Sequence, residues 1–406
     1  MIARLVAGRT VAALATALIP TGLTLAVIRV TDSALDLGVV LAAEMLPMLL
    51  LLPVGGVIAD RFPPRRVILV ADLVRCAAQV TLGALLLLGH PDIAVMAGLA
   101  ALTGAAVAFG VPAVSPLVLG VVPAERRLRV NAHIGVAGGL AQIAGPALAG
   151  GMTLWLGPGW SFLLTGALFA GSAVTLGGLV AAPRPAAERA HFLGDLREGW
   201  REARRHRWFL VSVAGHGVWH LGAGVLLTLG PVIAVRSLGG EPVWVVVAQA
   251  GTVATVLGVF VAPRLPIRRP LAVAAVGAAV YACPLVAFAF PAAFPAAFPA
   301  PAMVVTAAYV VAMLGVGVLT PLWETVVQQR VEPQALGRVD SFDALISFAA
   351  RPLGLAAAAP LAAWAGGAAP LLTAAALVAA VNLAVLALPE VRRRTTEEAA
   401  QSPVPV

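Results

Sequence analysis

Charge is scarce in this 406-residue chain. Only 11% of its residues are Asp, Glu, Lys or Arg, against about 25% in a soluble domain. So little polar material cannot cover a water-facing surface, which excludes a soluble globular protein. Lysine is absent altogether, so all 27 basic residues are Arg. Cysteine occurs twice, as Cys76 and Cys283 inside apolar runs. That excludes a disulfide framework and a cysteine metal cluster. Alternating ten-residue amphipathic segments, the mark of a membrane barrel, are also missing. There is no Gly-x-x-x-x-Gly-Lys phosphate loop, no Gly-x-Ser-x-Gly elbow and no His-Glu-x-x-His. The chain is therefore not expected to be an enzyme, an ATPase or a holder of a cofactor or metal. Energy for any work it does must come from an ion gradient or from a solute's own gradient.

What is present is apolar. Hydrophobic residues make up 60% of the chain, in runs long enough for membrane-spanning helices of about 20 residues each. Charge and Gly/Pro punctuation divide them into twelve spans. These are 9–30, 37–59, 67–89, 93–120, 131–154 and 160–182, then 208–235, 242–262, 270–290, 301–326, 339–362 and 369–389. The fold expected is all-α and integral to a membrane, with twelve transmembrane helices. With this topology 23 of the 27 arginines fall on one side. Only Arg29 and Arg236 fall opposite, and Arg75 and Arg351 lie within spans. The positive-inside rule then puts both termini in the cytoplasm. The net charge of +8 is explained by these loops, so no nucleic-acid partner is expected. Arg4 and Arg9 ahead of an apolar run also fit a signal peptide. Further spans follow at once, however, and a first transmembrane helix has the same charge pattern.

One basic loop organises the chain. It runs Gly55-Gly56-Val57-Ile58-Ala59-Asp60-Arg61-Phe62-Pro63-Pro64-Arg65-Arg66. A near copy follows 203 positions later, where Ala262, Arg264, Pro266, Arg268 and Arg269 repeat Ala59, Arg61, Pro63, Arg65 and Arg66. Asp60 has no counterpart, since Pro263 takes its place. A second match has an offset of 209. Arg129-Val130-Asn131 answers Arg338-Val339-Asp340, Gln142 meets Arg351, and Gly145 meets Gly354. Two related six-helix halves around a midplane site are a transporter plan. The domains expected are a bundle at 1–182, a cytoplasmic linker at 183–207, a second bundle at 208–389 and a cytoplasmic tail at 390–406. In the linker, Phe192, Leu193, Leu196 and Trp200 share a helical face among arginines. They predict either a helix on the inner leaflet or a solvated tether. The outer loop at 290–299 repeats Phe-Pro-Ala-Ala and reads as slippage in an exposed hairpin.

These residues resemble the major facilitator superfamily. The basic loop is similar to that family's Gly-x-x-x-Asp-Arg-x-x-Arg-Arg signature, here Gly56 to Arg66 with one extra residue. The resemblance covers nearly the whole chain. Within the family it is closest to the twelve-helix drug exporters that include macrolide efflux proteins and the enterobactin exporter. Leu46-Pro47, Ala71-Asp72-Leu73-Val74-Arg75, Gly194-Asp195-Leu196-Arg197-Glu198-Gly199, Gly337 to Leu345 and Arg351-Pro352-Leu353-Gly354 carry that likeness. Gly145-Pro146-Ala147-Leu148-Ala149-Gly150-Gly151 is similar to the antiporter motif, with Ala149 replacing the first closing glycine. The helix 4 arginine motif of many drug/proton antiporters is absent.

The resemblance implies that Gly56, Asp60, Arg61, Arg65 and Arg66 form a gating motif, with Asp60 capping the N-terminal end of the eleventh span. A helix N-terminus attracts an anion; the alternative is that Asp60 partners Arg61 or Arg65 in solvent. Ionisable groups within spans are costly and so are functional candidates. Glu44, Asp343, Glu324 and His216 are the candidates for proton coupling. Asp72 and Arg75, three apart on one helix, are expected to pair with each other. His216 and His220 share a helix face, but a metal needs further ligands and no acid is nearby. The family's first, fourth, seventh and tenth helices line its cavity. That implies Trp219, His220, Tyr309 and Trp323 as lining residues, with Thr16, Thr24, Phe109 and Ser115; Arg351 within the eleventh span joins them. Each has helix packing as its bland alternative.

The function expected is export of a small amphipathic molecule by proton antiport, in a bacterial cytoplasmic membrane. The transporter would be a monomer, with small-molecule substrate, protons and lipid as its partners. The alternatives are uptake or facilitated diffusion, and a non-transporting sensor or scaffold.

Overall fold

The computed structural model describes residues 1–177, 200–201, 203–290, 301–331 and 336–392. Among them every regular element is helical. Twelve candidate spans are long and apolar enough to cross a membrane. The chain divides into two compact units, Met1–Arg189 and Ala190–Val406.

The first unit contains α1 (Ile2–Thr31), α2 (Ala34–Arg61), α3 (Pro64–Leu87), α4 (Ile93–Gly110), α5 (Val114–Val121), α6 (Ala124–Leu156) and α7 (Pro158–Gly177). Local chemistry sets the ends. Ser33 caps α2 by accepting from the Asp36 amide at 3.2 Å, and Asp92 caps α4 by accepting from the Val95 amide at 3.0 Å. Pro64 opens α3 where a missing N–H costs nothing. Gly157, at φ 97°, closes α6 in a conformation that side chains disfavour. Within the unit α1 packs on α6 and α7, α2 on α4, and α3 on α7 and α4.

The second unit contains α8 (Arg207–Ser237), α9 (Glu241–Val261), α10 (Pro270–Ala279), α11 (Ala282–Ala289), α12 (Pro301–Arg330), α13 (Leu336–Ala365), α14 (Ala368–Ala384) and the short α15 (Pro389–Arg392). The pairing repeats: α8 lies on α13 and α14, α9 on α12, and α10 and α11 on α12 and α14. The repeat extends to single glycines. A Cβ on Gly55 would strike the Ala108 backbone between α2 and α4. Gly258, 203 positions on, meets Gly317 in the same way between α9 and α12. Gly145 presses α6 against the Ala17 backbone of α1, and Gly354 presses α13 against Leu221 and Gly224 of α8. The two offsets seen in the sequence are thus offsets between equivalent helix crossings.

Several expected boundaries move. The first span begins at Ile2 and not at residue 9, so Arg4 and Arg9 sit inside α1. Residues 2–8 contain no proline, Arg is a good helix former, and Gly8 sits where α1 meets Thr175 of α7. The fifth span likewise starts at Ala124, which takes the basic cluster after Pro123 into α6. The fourth and ninth spans are each broken in two. Pro116 and Pro284 are the cause, because a proline clashes with the carbonyl four residues back. Each break falls at that point, between α4 and α5 and between α10 and α11. Most of the linker helix and the Phe-Pro repeat after Phe290 lie outside the described residues. Trp200, at the linker's end, packs against Phe342 with ring centroids 5.6 Å apart.

Candidate functional site

The first unit holds a buried ionic network. Asp72 on α3 is fully buried and receives a hydrogen bond from the Arg75 guanidinium one turn later. Ser172 on α7 donates to its other oxygen at 2.7 Å. Arg9 on α1 reaches the same oxygen at 3.9 Å. Arg75 also stacks over Phe169, at 4.3 Å from the ring centroid, and donates to Thr16. The pairing of Asp72 with Arg75 follows from their spacing. Arg9 was not found from the sequence, where it counts as a loop cation. Two guanidinium groups share one carboxylate here, and Arg9 Nη1 has no hydrogen-bond partner.

Glu44 lies half-buried on α2, with no ion pair among the described residues. Its backbone is where Gly104 lets α4 approach closely. Within the basic loop, Arg65 donates to the Leu176 carbonyl at 3.0 Å and to Gly177. It therefore ties the first turn of α3 to the last described turn of α7. Arg66 is exposed, and a side chain at Gly56 would meet open space. Asp60 and Arg61 end α2, and their side chains fall outside the description. Gly145 and Pro146 stand at the α6–α1 crossing, with Gly150 buried one turn on. Phe109 packs into the core, Thr24 is buried and Ser115 is exposed.

The second unit brings three predicted residues together from three helices. Asp343 on α13 accepts from Trp323 Nε1 on α12 at 2.6 Å. Its other carboxylate oxygen accepts from Ser347 at 2.9 Å and lies 3.9 Å from His216 Nδ1 on α8. The His216 ring stands edge-on to Trp323, with centroids 4.7 Å apart. Behind them Trp208 and Phe209 pack on Trp323. His216 and Asp343 are 127 positions apart, so no spacing rule links them. Ser347, which holds the carboxylate from one turn away, was missed. A polar residue four after an in-helix acid was its only signal. Glu324 is exposed and joins no ion pair among the described residues.

One turn further along α8 a second group assembles. Trp219 and His220 lie with ring centroids 4.2 Å apart, and His220 faces Phe348 of α13 at 4.4 Å. Tyr281, between α10 and α11, stands edge-on to Trp219. Tyr281 also packs on Tyr309 of α12, with ring centroids 6.4 Å apart. The Arg351 guanidinium lies over the Phe348 ring, 5.8 Å from its centroid. Tyr281 was not singled out from the sequence. No metal-binding group of three His, Cys, Asp or Glu forms among the described residues.

A family model described as Major Facilitator Superfamily matches residues 5–355. An uncharacterised MFS-type transporter of Sinorhizobium fredii is 27% identical over 325 residues, covering 78% of this chain and 77% of its own. Among solved structures, the nucleoside transporter NupG is similar with a TM-score of 0.71 at 11% identity, over 95% of this chain and 98% of that one. A POT family transporter in complex with a thioalcohol-conjugated peptide gives 0.75 at 11% identity, over 97% and 96%. A bacterial homologue of the human lysosomal transporter Spinster gives 0.68 at 14% identity, over 95% and 96%. At such identities the likeness is one of fold. The sequence match over most of the chain, on twelve apolar helices in two related halves, makes this protein a member of the Major Facilitator Superfamily, a multi-pass membrane transporter.

Proposed function

We propose that this transporter exports a small amphipathic molecule of the drug, antibiotic or siderophore class in exchange for protons. The membrane is the cytoplasmic membrane of a bacterium, both termini face the cytoplasm, and the protein works as a monomer by alternating access. Export is supported by the short stretches that resemble the drug exporters, among them Arg351-Pro352-Leu353-Gly354. The observation that carries proton coupling is the contact of Asp343 with His216 inside the second unit. An acid and an imidazole held together within a spanning bundle, the imidazole buried and the acid half-buried, are costly unless they do work. Both oxygens of Asp343 already accept hydrogen bonds. His216 and Asp343 then form the proton-coupling pair of the second unit. Glu44 is the candidate for a second proton site in the first unit.

The test uses everted membrane vesicles with an acidified lumen and a pH-sensitive dye. Adding an exported compound should collapse part of the gradient in wild type. Asp343→Asn and His216→Ala should each abolish that response, while Glu44→Gln should lower it without removing it. A full response in both second-unit variants would sink the assignment. Counterflow without any proton movement would instead make the protein a facilitator.

A further inference from the structure

Arg351 is a half-buried cation without an anion among the described residues. It sits mid-way along α13, and among the described residues it forms no ion pair. Its Nε is buried and makes no hydrogen bond. The groups around it do not supply the missing charge. Tyr281 and Tyr309 lie within electrostatic reach and are neutral phenols engaged with each other. Asp343 stands two turns away on the same helix, and Trp323, Ser347 and His216 already surround it. His220 is an imidazole and brings no negative charge. Its Nδ1 is buried without a partner, and so is Trp219 Nε1. Three nitrogens from two helices are thus left unmet in one aromatic group. Leaving a buried polar nitrogen unbonded is unfavourable, and withdrawing a cation from water without an anion is more so. Phe348, which bounds the group on α13, is 38% exposed, so the cluster opens at that wall.

The missing piece is an oxyanion attached to a flat apolar body. A carboxylate fits the planar guanidinium fork with two parallel hydrogen bonds. The rings of Trp219, Tyr281 and Phe348 supply stacking area for the rest of the molecule. We infer that the Arg351 cluster is the substrate subsite of the second unit and that it selects aromatic or polycyclic carboxylates over their neutral counterparts. The inference deepens the export reading and rests on it for the statement that the bound anion is cargo.

The experiment is equilibrium binding to purified full-length protein in neutral detergent, followed through tryptophan fluorescence. The probes are 1-naphthoate and its neutral relative 1-naphthylmethanol. Wild type should prefer the carboxylate at least about tenfold, the size of one charge-assisted hydrogen bond. Arg351→Gln should erase the preference, and Arg351→Lys should keep part of it. Phe348→Ala should weaken both probes together and leave the preference intact. Phe348→Ala also carries the test if Arg351→Gln does not fold. Equal binding of the two probes, no binding of naphthoate, or a preference unchanged in Arg351→Gln would each overturn the inference. So would naphthoate binding that is lost on adding phosphatidylglycerol, because the site would then belong to a lipid headgroup. Asp343→Asn should retain the carboxylate preference. Its loss of proton exchange with binding intact keeps failure of the export reading distinct from failure of this one.

Discussion

Asp72 is the residue on which the first unit's buried charge depends. It is fully buried and is the shared partner of Arg9, Arg75 and Ser172. Asp72→Asn leaves two guanidinium groups without an anion, a loss of about 3–5 kcal/mol for a broken buried pair. Thermal unfolding in detergent should show a large drop for Asp72→Asn. Ser172→Ala, which removes one hydrogen bond to a charged group, should lose only about 1.5–3 kcal/mol. Equal stability of wild type and Asp72→Asn would mean that water reaches the network. The sequence revealed half of this arrangement. Asp72 and Arg75 are one turn apart, and a one-turn spacing is readable. Arg9 and Ser172 come from other helices, and no local rule joins them. The same holds for Asp343 and His216: each was legible as a costly charge in a span, and their meeting was not.

At the level of helices, the glycine crossings separate sequence slots that look alike. Gly145 and Gly139 are both in α6. A side chain at Gly145 meets the Ala17 backbone, whereas nothing lies within 4 Å of one at Gly139. Gly145→Val should therefore force α6 away from α1, at about 1–3 kcal/mol or more. Gly139→Val should be near neutral, within about 0.5 kcal/mol. The check is the yield and unfolding temperature of the two variants side by side. Equal behaviour would mean that α6 slides to absorb the extra volume. The offsets of 203 and 209 pointed to these crossings because a close approach leaves no freedom in residue size. The helix breaks were less legible. Pro116 and Pro284 interrupt their spans, yet Pro20, Pro146, Pro231 and Pro321 stay inside continuous helices. A proline in a spanning bundle is tolerated where neighbours satisfy the freed carbonyl, and that depends on packing.

For the whole molecule the open question is orientation, and charge alone predicts it. Moving Arg4 and Arg9 into α1, and Arg126, Arg127 and Arg129 into α6, turns loop cations into helix-end cations. It leaves the asymmetry intact, because they stay at the same ends of their spans and only Arg29 and Arg236 fall opposite. A variant with Cys76→Ser and Cys283→Ser gives a background for thiol labelling. In intact cells a membrane-impermeant maleimide should label Ala296→Cys and spare Ala400→Cys. Everted vesicles should give the reverse. Labelling of both in intact cells would overturn the topology.

The tie between Arg65 and the end of α7 has a practical side. By donating to the carbonyls of Leu176 and Gly177, Arg65 fastens the last described turn of α7 to the first turn of α3. A soluble fusion partner spliced in at residues 183–189 would then pull on a helix already fastened to α3. This makes the middle of the chain a favourable place to attach a fluorescent reporter or a crystallisation chaperone, with Arg65→Ala as the change that should make such fusions fail.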